Sequence, residues 1–197
     1  AIGLGFQFQH HRKLRLPAGP TVIHHPLPRH PPRDVGAHVH FHQRHRHVTA
    51  GETSQVYPAL ARADPDLFGV CVASVDGAMY ASGDTDVPFP IMSVAKPFTF
   101  ALVCAHLGTD RARAELGVNA TGDAFNAVEP VLDGDGRTNP MVNAGAIATC
   151  SRLPGSSVEQ QWTHLLDGLS AFAGRELSLD EELYANVMAT NIRNRQL

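Results

Sequence analysis

Ser93-Val94-Ala95-Lys96-Pro97-Phe98 is the stretch on which the reading of this chain turns. Pro97 has no amide hydrogen, which is harmless only in the first turn of a helix, so a helix begins near Ser93. It runs through Phe98, Phe100, Leu102 and Val103 towards Gly108, with apolar residues too dense for a surface helix. The pattern predicts a buried helix with Ser93 at its positive end, where developing negative charge is favoured. Ser93 and Lys96, at i and i+3, share a face. Lysine is the informative choice there. Of the 16 Lys and Arg residues only Lys13 and Lys96 are lysine. A guanidinium cannot lose its proton, whereas a desolvated amine can. A serine hydroxyl beside a neutral amine is an activated nucleophile. The bare spacing also arises by chance, as a solvated lysine that follows a serine.

Outward from this stretch the chain divides into two materials. Residues 1–50 carry seven basic side chains against one acid, Asp34; the remainder carries nine against 18, so charges of +6 and −9 underlie the net −3. The first fifty residues also hold six of the 14 prolines and ten of the 12 histidines. Such a segment buries too little apolar area to offset its ordering entropy, and disorder is expected over 1–50. A His/Pro/Arg-rich string abutting an ordinary domain is also what out-of-frame translation of GC-rich DNA gives. Within it His38-Val39-His40-Phe41-His42 alternates; on an extended strand its imidazoles would face one side and suit zinc, copper or nickel. Adjacent arginines and the lack of a cysteine or carboxylate oppose a metal site. Basic charge alone is weak support for nucleic-acid binding.

The rest has room for one domain. Cys71, Cys104 and Cys150 are odd in number, far apart and without metal-ligand spacing, which fits buried reduced thiols in a cytoplasmic protein. No apolar run reaches transmembrane length, and no secretory pattern opens the chain. A short helix is expected over 56–62, then strands over 68–75 and 78–82 about an Asp76-Gly77 turn. Further helices are expected over 110–116, 143–151 and from Ser157 to Gly174. Ser157-Val158-Glu159-Gln160 and Ser178-Leu179-Asp180-Glu181 read as capping boxes. Asp133-Gly134-Asp135-Gly136 begins like a calcium loop, but Ala144 stands where the bidentate glutamate belongs, so calcium is rejected. A lone hairpin followed by helices is an incomplete α/β arrangement.

Several motifs then coincide. Tyr57-Pro58-Ala59-Leu60-Ala61, Asp64-Pro65-Asp66-Leu67-Phe68-Gly69-Val70, the Ser93–Thr99 stretch, Asp123-Ala124-Phe125-Asn126, Asn139–Thr149 and Thr190–Arg195 occur in order and at fitting separations. Together they resemble the bacterial serine-dependent glutaminases, over residues 51–197 and the N-terminal half of that family. The resemblance implies an α/β serine β-lactamase/DD-peptidase-like fold, incomplete here. It also implies hydrolysis of L-glutamine to L-glutamate and ammonia without metal or organic cofactor, in a family whose members tend to self-associate, so a homo-oligomer is an open expectation. No nucleic-acid or membrane partner is expected from the charge and hydropathy patterns. By the same resemblance Ser93 is the nucleophile, Lys96 its base, and Asn143 and Asn194 substrate-binding residues.

The departures are specific. The family's substrate-holding glutamate falls at Val187, seven residues before Asn194. Met92 replaces a polar residue before the serine, and Ala95 a common second serine. The family's tyrosines, its K-S-G-type strand and its oxyanion-hole residue have no counterpart before Leu197. These point to a fragment or degraded copy, and to a chain of low stability with exposed apolar surface. A non-catalytic remnant associating with a full-length subunit is one competing reading. A β-lactamase or penicillin-binding-protein-like acyl transferase is another, weakened because Met141 occupies the place of its second serine. A metal binder built on the histidine tract is a third.

Overall fold

The structure, a computed structural model, describes residues 6–8, 36–74, 77–120, 122, 124–127 and 137–190. It forms two compact units, Leu16–Pro88 and the union of Ala1–Arg15 with Phe89–Leu197.

In the smaller unit, helix α1 (Ala37–His45) is followed by the short helix α2 (Pro58–Ala61) and by strands β2 (Gly69–Ala73) and β3 (Met79–Gly83). Pro58 opens α2, where its missing N–H costs nothing. The strands pair antiparallel from Gly69 opposite Gly83 to Ala73 opposite Met79. The closing bonds run from Ser74 N–H to Ala78 O at 2.9 Å and from Gly77 N–H to Ser74 O at 3.0 Å. Gly77, at φ 87°, takes the left-handed conformation that suits glycine in a hairpin loop, while Val75 and Asp76 of the expected turn lie outside the described residues. Val72 and Met79 are exposed on this hairpin, and so is Cys71, which the sequence reading had buried.

Helix α1 occupies part of the segment whose composition reads as disorder, and it corrects the histidine-tract geometry. On a helix His38 and His42 share a face and His40 does not. The His38 ring lies 5.8 Å from that of Tyr80, and the His42 ring stacks on Phe68 at 5.3 Å with Nε2 3.2 Å from Phe68 O. A Cβ at Gly83 (φ 80°) would overlap both the His42 ring and Phe68 O, so this close approach requires glycine. Among the described residues no group of three metal-ligating side chains comes together.

The larger unit is built around α3 (Ala95–Leu107). It packs against α4 (Thr109–Leu116), α5 (Asn143–Cys150) and α6 (Val158–Ala173). Ile91, Ala95, Val103, Ala112, Leu116, Leu153, Leu165, Leu169 and Leu177 form its core, with Phe100, Leu102 and Trp162 packed against it. Full burial of each leucine contributes about 1.5–3 kcal/mol. The α3 helix is less enclosed than its composition suggests, since Phe98 stays exposed and meets exposed Phe172 at 5.1 Å between ring centroids.

Ser157 caps α6 as expected, accepting from Gln160 N–H at 3.3 Å, while Gly174 ends the helix at φ 65°. The Gln160 side chain reaches back to Ser156 N at 2.8 Å, one residue earlier than a regular capping box. The last helix, α7 (Glu181–Thr190), is capped by Asp180, whose Oδ1 accepts from Leu183 N–H at 2.9 Å. Ser178 is not the cap. It lies in strand β4 (Leu177–Leu179), which pairs antiparallel with β1 (Phe6–Phe8). Among the described residues no helix is long and apolar enough to cross a membrane.

Candidate active site

Ser93 sits in a 3-10 turn, Met92–Val94, that leads into α3. Val94 N–H donates to Ile91 O at 2.9 Å, and Ala95 N–H donates to Met92 O and Ser93 O. Ile91 and Ala95, two residues to either side, are buried, whereas Ser93 is exposed. The buried residues thus anchor the turn and present the serine to solvent.

Lys96 follows in the first turn of α3. Its Nζ donates to Asn143 Oδ1 at 2.7 Å and to Met141 O at 3.3 Å. Asn143 opens α5 and Met141 lies two residues before it, so these bonds tie α3 to the entry of α5. The Phe125 ring centroid lies 5.7 Å from the same Nζ, within cation–π range. Phe125 O accepts from Asn143 N–H at 2.8 Å, which joins the Phe125 turn to the first residue of α5. Partial burial holds the Lys96 pKa below the ordinary lysine value. Desolvation disfavours the ammonium, and a population of neutral amine is what a base requires.

Asn143 is held from behind. Asn139 Oδ1 accepts from Met141 N–H at 2.9 Å, and Asn139 O accepts from Val142 N–H at 3.1 Å. A Cβ at Gly145 would overlap that same Asn139 carbonyl, so the loop lies against α5 only because residue 145 is glycine. Small residues recur on both facing helices: Ala95 and Thr99 are buried on α3, and Ala144, Gly145 and Thr149 on α5. Thr99 and Thr149 each return their hydroxyl to a carbonyl of their own helix, at 2.9 and 2.7 Å, so the tight packing leaves no orphan there.

Lys96 and Asn143, 47 residues apart, are therefore brought into direct contact. The hydrogen bonds of Lys96 go to Asn143 and Met141; the direct Ser93–Lys96 bond that the spacing suggests is not among them. With Oδ1 taken by Lys96, the Nδ2 amide of Asn143 has no protein partner among the described residues and can donate to a ligand. Val187 is fully buried on α7, and Asn194 lies outside the described residues. Sequence reasoning assigned no role to Phe125 or to the Met141 carbonyl. The Phe125 stretch was quoted as a motif, but nothing local indicates that its ring meets a lysine.

A sequence model of one protein family, described as Glutaminase, matches residues 51–197. Glutaminase 2 of Yersinia pestis is 54% identical over 155 residues, covering 78% of this chain and 46% of that protein. A glutaminase of Brucella abortus (strain S19) is 39% identical, covering 76% of this chain and 48% of that protein. The chain thus spans about half the length of these curated relatives. Among solved structures, the probable glutaminase ybaS superposes with a TM-score of 0.79 at 31% identity, over 82% of this chain and 53% of that one. Mglu in its glutamate form gives 0.76 at 35% identity, over 85% and 39%. The fold is accordingly the serine β-lactamase-like α/β class anticipated from the motifs, present in part.

Proposed function

Because the chain belongs to the glutaminase family, we propose that it carries the nucleophile half of a site that hydrolyses L-glutamine to L-glutamate and ammonia. The observation that carries this reading is Lys96. Its amine is partly desolvated and bonded to Asn143 of a facing helix, in the turn that follows an exposed serine. Ser93 Oγ attacks the side-chain carboxamide carbon while its proton passes to the Lys96 amine. The tetrahedral oxyanion collapses, the C–N bond breaks, and ammonia leaves with the proton that Lys96 returns. Water then hydrolyses the acyl-enzyme to release glutamate and free Ser93. Asn143, through Nδ2, and Asn194 bind the substrate. That Mglu has been solved in a glutamate form supports this substrate class.

We place the start of the catalytic domain at residue 51, where the family match begins, with residues 1–50 as a separate segment. A cytoplasmic location belongs to the same reading and is supported by three unpaired thiols, Cys71 exposed among them. Self-association is its remaining part and is measurable by sedimentation. Val187 departs from the pattern: a buried valine cannot pair with the substrate ammonium.

The test is ammonia release from L-glutamine by the purified chain beside Ser93→Ala. Release that the variant abolishes is the expected result; measurable release that is equal in both would refute the assignment of Ser93.

A further inference from the structure

Met92 is the one non-glycine residue with positive φ among the described residues, at 43°. It stands immediately before Ser93, at the first central position of the turn closed by Val94 N–H to Ile91 O. Positive φ at that position marks a mirror-image turn, a place normally filled by glycine, asparagine or aspartate. A right-handed turn at Met92 would close the same hydrogen bond without strain. Long unbranched side chains seldom adopt this conformation unless their surroundings impose it. The surroundings here can do so, because Ile91 and Ala95 are both buried in the core and fix the chain on either side of the turn. Sequence gave no hint of it, since methionine has no preference for left-handed backbone.

We propose that Met92 is a positioning residue: its left-handed backbone, rather than its side chain, turns Ser93 outward from the start of α3 and holds it ready for reaction. This rests on the reading of Ser93 as a nucleophile. It assigns to residue 92 a requirement for backbone geometry and none for side-chain polarity. Any residue that tolerates positive φ therefore preserves Ser93 reactivity, and a β-branched residue, which resists it, does not.

The experiment follows the rate at which an alkyl fluorophosphonate labels Ser93, read by intact mass and peptide mapping. Ser93 Oγ forms the new bond to phosphorus, fluoride leaves, and the serine proton goes to the Lys96 amine. Met92→Gly, Met92→Ala and Met92→Val are compared with wild type, Ser93→Ala and Lys96→Met, and each chain's urea midpoint is measured. Met92→Gly is expected to keep the wild-type labelling rate and to be more stable than Met92→Ala. Met92→Val is expected to label about tenfold more slowly or worse, the rate equivalent of mild backbone strain. Loss of side-chain packing would rank the variants the other way, with valine nearest to methionine and glycine worst. That order, or equal rates for all three, would overturn the inference. If Met92→Val does not fold, the Gly–Ala pair decides it: faster labelling with greater stability for glycine supports the inference, and the reverse overturns it. Wild-type labelling no faster than Ser93→Ala would remove both the proposed function and this inference. Ser93 labelling that is lost in Lys96→Met but insensitive to residue 92 would remove this inference alone.

Discussion

Replacing Asn143 by aspartate keeps the shape of the side chain and places a carboxylate where Oδ1 now accepts from Lys96 at 2.7 Å. The new charge favours the ammonium over the neutral amine. At an effective dielectric of 20, opposite charges about 4 Å apart attract by about 4 kcal/mol. An exposed pair in water is worth about 1 kcal/mol or less. Lys96 is neither fully buried nor fully exposed, so about 2 kcal/mol is the reasonable value, equivalent to about a 30-fold loss of neutral amine at fixed pH. Fluorophosphonate labelling of Ser93 across pH reads this directly and does not depend on Asn143 as a substrate ligand. Labelling by Asn143→Asp at neutral pH is expected to fall about 30-fold and to recover at higher pH as the raised pKa is reached. Asn143→Ala removes an acceptor that favours the ammonium, so its pH midpoint moves the opposite way. The reasoning fails if both variants share the wild-type midpoint, or if the aspartate variant labels faster.

Glycine substitutions separate backbone from side-chain overlap: Gly145→Ala meets the Asn139 carbonyl and is expected to cost about 3 kcal/mol, whereas Gly168→Ala meets only the movable Leu102 side chain and costs about 1. Urea unfolding of the two variants checks the order. Ser157→Ala removes the acceptor for Gln160 N–H and is expected to lower the unfolding free energy by about 1 kcal/mol, measured the same way. Burial lowers the Lys96 pKa in the folded chain, so below that lowered value the folded state bears an ammonium it disfavours, and above the ordinary lysine value it does not. Wild type should therefore gain stability relative to Lys96→Met as pH rises between the two, and a pH-independent difference would contradict the assignment.

What could be read in advance depended on how local its cause was. Pro97 dates the start of α3, and Ser157 and Gly174 bracket α6, because each acts through its own backbone neighbours. The second capping box was misplaced by two residues for a non-local reason. Ser178 lies in β4, whose hydrogen-bonding partner is a strand at the far end of the chain, and the cap falls to Asp180. Composition led to an expectation of disorder over the histidine tract, whose imidazoles would share one side only on an extended strand. Its helix instead carries contacts to Phe68 and Tyr80 that composition cannot reveal. The site divides in the same way. Ser93, Lys96 and Asn143 could be named from residue type and motif, but the bond that gives Lys96 its environment spans 47 residues. That bond exists because α5 packs against α3 and the loop before α5 lies close over Gly145, so a larger residue at 145 would displace Asn143 without altering Lys96. Met92 lies furthest from sequence inference, since its identity argues against the backbone conformation it adopts. A residue that breaks a local rule while its neighbours on both sides are fixed in a core is held there by the fold, and at this position what it holds is the serine.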